Sequence, residues 1–237
     1  MLSRKLFLAI TGGALAAPAI SWGAPTLPDV PAALDHILLG CSDLDKGIAF
    51  VQERTGVRAA LGGVHPGRGT RNALLSLGEK HYLEIIAPDP AQPGAEVIYG
   101  LQKLNEPRVV TWAVHTQDIA AAAQRAIAAG FAIDGPRDGS RARPDGVLLR
   151  WKSFGLKNME GSLLPFFIEW DAKTTHPSVD APSGCTLQKF AAQTTHPTGL
   201  QESFCRLGIA VRVELGKREQ LIAQVSGSAR KEFLLTS

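Results

Sequence analysis

Cysteine is scarce in this sequence of 237 residues, which contains only Cys41, Cys185 and Cys205. Three cysteines are too few for a disulfide scaffold, and the lack of any Cys-x-x-Cys pair excludes a zinc ribbon or a thioredoxin-type motif. Cys41 lies in an apolar run and is expected to be a buried free thiol. Whether Cys185 pairs with Cys205 stays open at the level of sequence.

Strong charge and the common catalytic motifs are also lacking. The 25 Lys and Arg residues against 22 Asp and Glu residues give a net charge of +3, and the basic residues are scattered, so no nucleic-acid partner is expected. The chain has no Gly-x-x-x-x-Gly-Lys, Gly-x-Gly-x-x-Gly, Gly-x-Ser-x-Gly or His-Glu-x-x-His motif. Nothing therefore indicates a P-loop, a dinucleotide-binding fold, a serine hydrolase or a zincin.

The N-terminus has the pattern of a signal peptide. Arg4 and Lys5 precede the apolar run Leu6–Ile20, and small residues follow up to Gly23. The run of about 15 residues is shorter than the ~20 that a membrane-spanning helix needs, so stable membrane insertion is not expected. Cleavage after Gly23 leaves 237 − 23 = 214 residues. The protein is expected to be periplasmic or secreted.

The export route and the cleavage site are defined less sharply. Residues 3–8 resemble the twin-arginine export motif of bacteria, with Lys5 in place of the second arginine. Ala17 and Ala19 offer a second cleavage site. An uncleaved N-terminal anchor, or a misassigned start codon, is the alternative interpretation.

The order of predicted elements repeats along the chain. In residues 34–90, an apolar strand at Leu34–Cys41 is followed by a helix that Ser42 or Asp43 caps and Gly56 ends, and then by three strands. In residues 108–171 the same βαβββ order returns, with Asp118 as the helix cap. Such repetition predicts two modules that pair into one structure.

The predicted fold class is α+β, with the paired βαβββ modules forming a curled mixed-sheet cup and the helices outside it. Residues 1–23 are assigned to the signal peptide, 24–33 to a linker, 91–107 to the connection between the modules and 172–184 to a second linker. Residues 185–237 are expected to be a third, looser βαβββ-like unit packed on the same domain.

Charged side chains on the predicted strands mark a candidate site. Because strand side chains alternate between faces, Glu84 shares a face with Tyr82, and Glu169 shares one with Phe167. Two carboxylates and His36 facing one cavity favour a divalent cation, so His36, Glu84 and Glu169 are the predicted metal ligands. Tyr82 and Phe167 are predicted to line the pocket. A structural histidine and ion-paired glutamates are the alternative.

The loop at residues 62–72 is the densest polar feature. Its glycines allow backbone N–H groups to be exposed, and His65, Arg68 and Arg71 add positive charge. Together with Asn72 at its end, the loop predicts binding of an anionic group such as a carboxylate or an enediolate. A solvated hairpin loop is the alternative.

Several segments resemble a known family. The main ones are Leu34-Asp35-His36-Ile37, residues 62–72 and Tyr82-Leu83-Glu84-Ile85-Ile86-Ala87-Pro88-Asp89. Further matches are Arg143-Pro144-Asp145-Gly146, Leu164-Pro165-Phe166-Phe167-Ile168 and His176-Pro177. Together they resemble the glyoxalase-like domain of the vicinal oxygen chelate superfamily, over about Leu34 to His176.

The resemblance implies one metal ion, held by a residue from the first and the last strand of each module. His36, Glu84 and Glu169 fall on three of these positions, and the ion implied is Fe, Mn, Ni, Zn or Mg. The fourth position is Thr111, a poor ligand for a divalent metal. His115 lies on the same strand, as a substitute ligand or as a rim residue that contacts substrate.

Taken with the resemblance, the sequence predicts an exported, glyoxalase-like, metal-dependent lyase, isomerase or dioxygenase that acts on a small oxygenated, anionic substrate. The metal would polarise vicinal oxygens, and Glu84 or Glu169 would serve as the catalytic base. The rivals are a metal-free small-molecule-binding protein of the same fold and a structural module that dimerises through the third unit. The chain is expected to be a monomer or a homodimer.

The exported protein is expected to begin near Ala24, because the small residues before it complete the signal-peptide pattern. Intact-mass measurement of the protein recovered from a bacterial cell envelope checks this. A full-length product in the cytoplasm would contradict the assignment.

Overall fold

The computed structural model describes residues 27–157, 163–228 and 232–237. The predicted signal peptide lies outside these residues. The first module consists of β1 (Leu34–Gly40), α1 (Leu44–Thr55), β2 (Ala60–His65), β3 (Thr70–Ser76) and β4 (Tyr82–Pro88). The second consists of β5 (Arg108–His115), α2 (Ile119–Ala128), β6 (Ile133–Ala142), β7 (Leu148–Leu156) and β8 (Phe166–Trp170). A 3₁₀ segment, Ile98–Lys103, lies between them.

The two modules share one curled sheet of eight strands, in the order β2-β3-β4-β1-β5-β8-β7-β6. In each module the first strand pairs in parallel with the last, β1 with β4 and β5 with β8. The modules join where β1 and β5 pair in antiparallel fashion. The predicted α+β fold of paired modules with a mixed sheet is therefore confirmed.

Both module helices begin where the sequence predicts. The Asp43 carboxylate accepts a hydrogen bond from the backbone N–H of Lys46 at 2.9 Å, and Asp118 does the same for Ala121 at 2.9 Å. Such caps satisfy N–H groups that have no partner inside the helix. Gly56 ends α1 with φ of 75°, in the left-handed region where glycine carries no Cβ penalty.

The hydrophobic core lies between the convex face of the sheet and the helices. Ile37, Leu83 and Ile85 point into it from the strands, and Ile48 and Val51 from α1. These side chains are all buried, so the helices cover this face of the sheet and the concave face is left for a ligand.

The C-terminal segment forms a sheet of its own. After α3 (Pro177–Asp180) come β9 (Thr186–Thr194), α4 (Pro197–Leu207), β10 (Arg212–Leu215), β11 (Gln220–Ser226) and β12 (Glu232–Thr236). Its strand order is β10-β9-β11-β12, so its first strand pairs with β10 and β11 rather than with the last strand. The expected third copy of the module is therefore not confirmed, although the order of elements is the expected one.

The second sheet packs on the core of the first. The Trp112 ring of β5 lies 5.0 Å from the Phe190 ring of β9 and 6.0 Å from that of Phe204 in α4, measured between centroids. All three side chains are fully buried. One hydrophobic core thus holds both sheets.

The cysteines are unpaired. Cys41 is buried, as predicted, Cys185 is buried and Cys205 is exposed. A disulfide between Cys185 and Cys205, which the sequence left open, is not formed.

Gly47 sets how closely α1 packs on the sheet. A Cβ at this position would lie 2.6 Å from the Cys41 Sγ and 2.7 Å from a methyl of Ile85. We expect Gly47→Ala to lower the free energy of unfolding by about 1–3 kcal/mol through overpacking. Gly199→Ala in α4 is the matched control, because its Cβ meets nothing within 4 Å.

The control is expected to be neutral or to stabilise by about 0.5–1 kcal/mol through helix propensity. Urea unfolding of both variants measures the difference. Equal stabilisation by the two substitutions would contradict the close packing at Gly47.

Candidate active site

A cavity of about 660 Å³ opens on the concave face of the eight-stranded sheet. This is within the ~300–1,000 Å³ range of small-molecule sites. We call it the polar cavity. Its lining combines ionisable side chains, chiefly His36, His65, Glu84 and Arg141, with the aromatic side chains Tyr82, Trp151, Phe166 and Trp170. Both modules contribute to it.

Six of the predicted site residues lie together in the polar cavity. They are His36, His65, Arg68, Asn72, Tyr82 and Glu84. Strand alternation accounts for Asn72 on β3 and for Tyr82 and Glu84 on β4, which all point to the concave face.

Four other predicted residues lie elsewhere. The Glu169 carboxylate accepts a hydrogen bond from the backbone N–H of Ile119 at 2.6 Å, at the N-terminus of α2 behind the sheet. Phe167 stacks on Phe154 in the core at a centroid distance of 4.6 Å. Arg71 is half-buried but does not line the cavity. His115 contacts Asp35, outside the cavity lining.

The error at Glu169 and Phe167 is one of strand register. On β8 the cavity-facing residues are Phe166, Ile168 and Trp170, so both predicted residues face the helices. A shift of one residue reverses every side chain of a strand. The two glutamates that looked equivalent in sequence therefore lie on opposite faces of the sheet.

An ion pair lies on the floor of the polar cavity. The Nε2 atom of His36 is 3.4 Å from one Glu84 carboxylate oxygen. The Asn72 side-chain amide donates to the other oxygen at 2.8 Å, and the His65 Nε2 lies 3.7 Å from the same oxygen. His36 and Glu84 are only 2% and 7% exposed. Two buried ionisable groups thus face the space where a ligand would sit.

Asp35 completes a line of charges behind this pair. Its Oδ1 lies 2.6 Å from the Nδ1 of His36, and it is 1% exposed. Its Oδ2 accepts from the Trp170 indole at 3.0 Å and lies 3.2 Å from His176 and 3.5 Å from His115. Sequence reasoning missed Asp35, although an aspartate next to His36 inside an apolar strand was the available signal.

The carboxylates fix the charge of His36. Burial opposes protonation, but hydrogen bonds and charge attraction from Asp35 and Glu84 outweigh it and raise the His36 pKa to about 9. For Glu84, burial is again the largest influence and raises the pKa, but His36, His65 and Asn72 together lower it to about 2. At neutral pH the pair is therefore imidazolium and carboxylate.

This ion pair makes stability depend on pH. The His36 pKa is higher in the folded protein than in the unfolded chain, so its contribution is complete below about pH 6.5 and is lost as pH rises through about 9. The Glu84 pKa is lower in the folded protein. Its contribution is complete above about pH 4.5 and is lost as pH falls through about 2.

Arg141 closes the cup and enters the cavity. Its guanidinium donates to the backbone carbonyl of Gly62, which joins the edge strands β6 and β2. A Cβ on Gly63, whose φ is 143°, would lie 2.3 Å from the Ala142 carbonyl oxygen, so glycine is needed for this approach. Arg141 was missed because polar, glycine-containing β6 does not have the apolar pattern of a strand.

The predicted divalent ion does not fit this arrangement. Of the three predicted ligands, His36 and Glu84 lie together, whereas Glu169 lies at the start of α2. Thr111, at the fourth position, pairs with Leu38 in the sheet. Within residues 27–157, 163–228 and 232–237, no group of three or more His, Cys, Asp or Glu side chains can hold a metal.

The sequence matches the glyoxalase-like domain family over residues 34–211. The chain belongs to this family. The paired βαβββ modules of its fold are those that the resemblance to the vicinal oxygen chelate superfamily implies. A search of curated proteins finds no significant match. The cup of paired modules supports small-molecule binding. In the described part of this chain, no helix is both long and apolar enough to span a bilayer.

Two of the solved structures that align with this chain show the extent of the similarity. A hypothetical protein from Staphylococcus aureus aligns with a TM-score of 0.63 at 17% identity, covering 78% of this chain and 87% of its own. A methylmalonyl-CoA epimerase from Mycobacterium tuberculosis aligns with a TM-score of 0.45 at 22% identity, covering 65% of this chain and 95% of its own.

The His36 pKa is expected to depend on Glu84. Removing the Glu84 charge by Glu84→Gln should lower the His36 pKa by about one unit or more, because a neighbouring opposite charge favours the imidazolium. An NMR pH titration of the His36 ring measures this. Glu202→Gln, an exposed carboxylate on α4, is the control and should leave the value unchanged. A similar His36 pKa in both variants would rule out the ion pair.

Proposed function

We propose that the polar cavity binds a small oxygenated acid and moves a proton on the carbon next to its carbonyl. The observation that carries the proposal is the buried His36–Glu84 ion pair on the cavity floor. A buried pair of ionisable groups with strongly shifted pKa values, in a cavity of ligand size, is a candidate acid–base site. Isomerase and lyase outcomes both begin with this step.

Charge in the cavity favours an anionic ligand. Arg141 lines the cavity and is 3% exposed, and Arg68 adds positive charge to the lining, whereas Arg137 is paired with Asp134. A guanidinium binds a carboxylate through paired, charge-assisted hydrogen bonds. We assign Arg141 to the carboxylate of the acid, a role that the sequence had suggested for Arg71.

The proton transfer uses the two members of the pair in opposite roles. When substrate is bound, the His36 Nε2–H donates to the substrate carbonyl oxygen in place of Glu84 and stabilises the charge that develops there. Glu84 then loses the partner that held its pKa low, and so becomes a stronger base. Glu84 takes the proton from the substrate carbon next to the carbonyl. The electron pair of that C–H bond becomes the C=C bond of an enolate, and the proton ends on the Glu84 carboxylate.

Asp35 has a positioning role. Its bond to Nδ1 fixes the His36 ring so that Nε2 faces the cavity. The Tyr82 ring stacks on His36 at a centroid distance of 4.5 Å and holds the same orientation. Such support keeps a catalytic ring within reach of its substrate.

Binding is tested with pyruvate by calorimetry. Arg141→Met is expected to weaken it by ~1–3 kcal/mol, about 5- to 150-fold, through loss of a charged hydrogen bond. Arg150→Met, an exposed arginine on β7 outside the cavity, is the matched control. Thermal unfolding of both variants shows that they remain folded. Equal pyruvate affinity in Arg141→Met and the parent would remove Arg141 from the site.

Proton transfer is tested by exchange of the pyruvate methyl hydrogens with D₂O, followed by NMR. The parent is expected to accelerate the exchange, Glu84→Gln to lose the acceleration by at least ~10²-fold, and Glu202→Gln to retain it. If the parent binds pyruvate without accelerating exchange, the second candidate replaces the first: a metal-free small-molecule-binding protein of the same fold.

Metal dependence stays a separate proposal. Calorimetric titration with Mn, Fe, Ni, Zn and Mg tests it, with His36→Ala and Glu84→Gln as the variants. One ion per chain in the parent, lost in both variants, would restore the metal-dependent lyase, isomerase or dioxygenase that the sequence predicts.

The N-terminal pattern also supports our proposal that the protein acts in the periplasm or is secreted, as a monomer or homodimer.

A further inference from the structure

We infer that the cup contains a second, apolar subsite, which takes the hydrocarbon part of the acid whose carboxylate binds at Arg141. This inference rests on the proposed function and names the substrate class more closely: an oxygenated acid with an apolar chain.

The subsite is a cavity of about 450 Å³, which we call the apolar cavity. Its walls are mainly hydrocarbon, contributed by Ala60, Leu61, Leu74, Pro144, Leu149 and Pro177. Leu74 and Leu149 are 8% and 2% exposed and form its inner wall, whereas Leu61 is 59% exposed. A large exposed apolar side chain at a concave site indicates a ligand surface rather than a solvated one.

The two cavities follow one another along the same face of the sheet. Asn72 and Leu74 are two residues apart on β3, as are Trp151 and Leu149 on β7, so each strand contributes one residue to each cavity. Arg141 lines both cavities. Because the cavities meet at Arg141, the inference places the acid group of the ligand in the polar cavity and its chain in the apolar one.

Three charged side chains around the apolar cavity pair with one another. Arg143 pairs with Asp145 at 2.9 Å and with Asp180. These three groups lie in the cavity lining and leave one net negative charge, which the positive charge of Arg141 in the same lining balances. Apart from Arg141, the apolar cavity would therefore bind a ligand mainly through apolar contacts.

The experiment measures how affinity depends on chain length. Straight-chain 2-oxo acids from three to ten carbons are titrated into the parent by calorimetry. Burial of each methylene in the apolar cavity is expected to tighten binding by about fourfold, until the cavity is full. Ala60→Trp fills the cavity from an exposed position, so folding is little affected. The matched control is Ala210→Trp, at an exposed position outside both cavities.

The expected result is that Ala60→Trp keeps the parent affinity for pyruvate and loses the gain with chain length, whereas Ala210→Trp keeps both. No chain-length dependence in the parent, or the same dependence in Ala60→Trp, overturns the inference and leaves the proposed function in place.

1-Octanol, which has no acid group, separates the two proposals further. Binding of 1-octanol to the parent but not to Ala60→Trp, with no binding of any oxo acid, supports the apolar subsite and overturns the acid-binding function. Binding of neither probe overturns both.

Discussion

The site on the concave face depends on one electrostatic interaction: the protonated His36 imidazole lies between the buried carboxylates of Asp35 and Glu84. Asp35 and Glu84 each approach a different nitrogen of His36, so the ring is fixed at both ends. Burial alone would neutralise all three groups, and together they keep their charges. Each carboxylate has further partners. Glu84 is contacted by Asn72 and His65, and Asp35 by Trp170, His176 and His115. The aromatic side chains then exclude water around a set that is already paired.

Much of the architecture could be predicted from the sequence, because it is coded locally. Asp43 and Asp118 cap their helices in equivalent places, and the apolar strands follow at similar spacing in both modules. These local signals were enough for the paired-module fold. β6 was largely missed because its residues are mostly polar and its strand partner, β7, is defined only in three dimensions.

The site was predicted only in part, because its assembly depends on strand faces and long-range contacts. Both Glu84 and Glu169 lie in apolar strands, yet only Glu84 faces the cavity; the difference is one position of register, which local pattern cannot fix. Arg141 reaches the site by crossing to a glycine 79 positions away in sequence. For the C-terminal segment, the order of elements was right, but strand pairing is non-local and differs from that of the modules.

The contact of Trp112 with Phe190 and Phe204 has a consequence for how this chain can be divided. The tryptophan belongs to the central strand of the large sheet, and both phenylalanines belong to the C-terminal segment. A fragment that stops in the linker at residues 172–184 would leave that indole facing water at the middle of its own sheet. Domain boundaries lie where few contacts cross. The connection at 172–184 thus links two sheets that share one hydrophobic core, and we expect the site-bearing cup and the C-terminal sheet to unfold together.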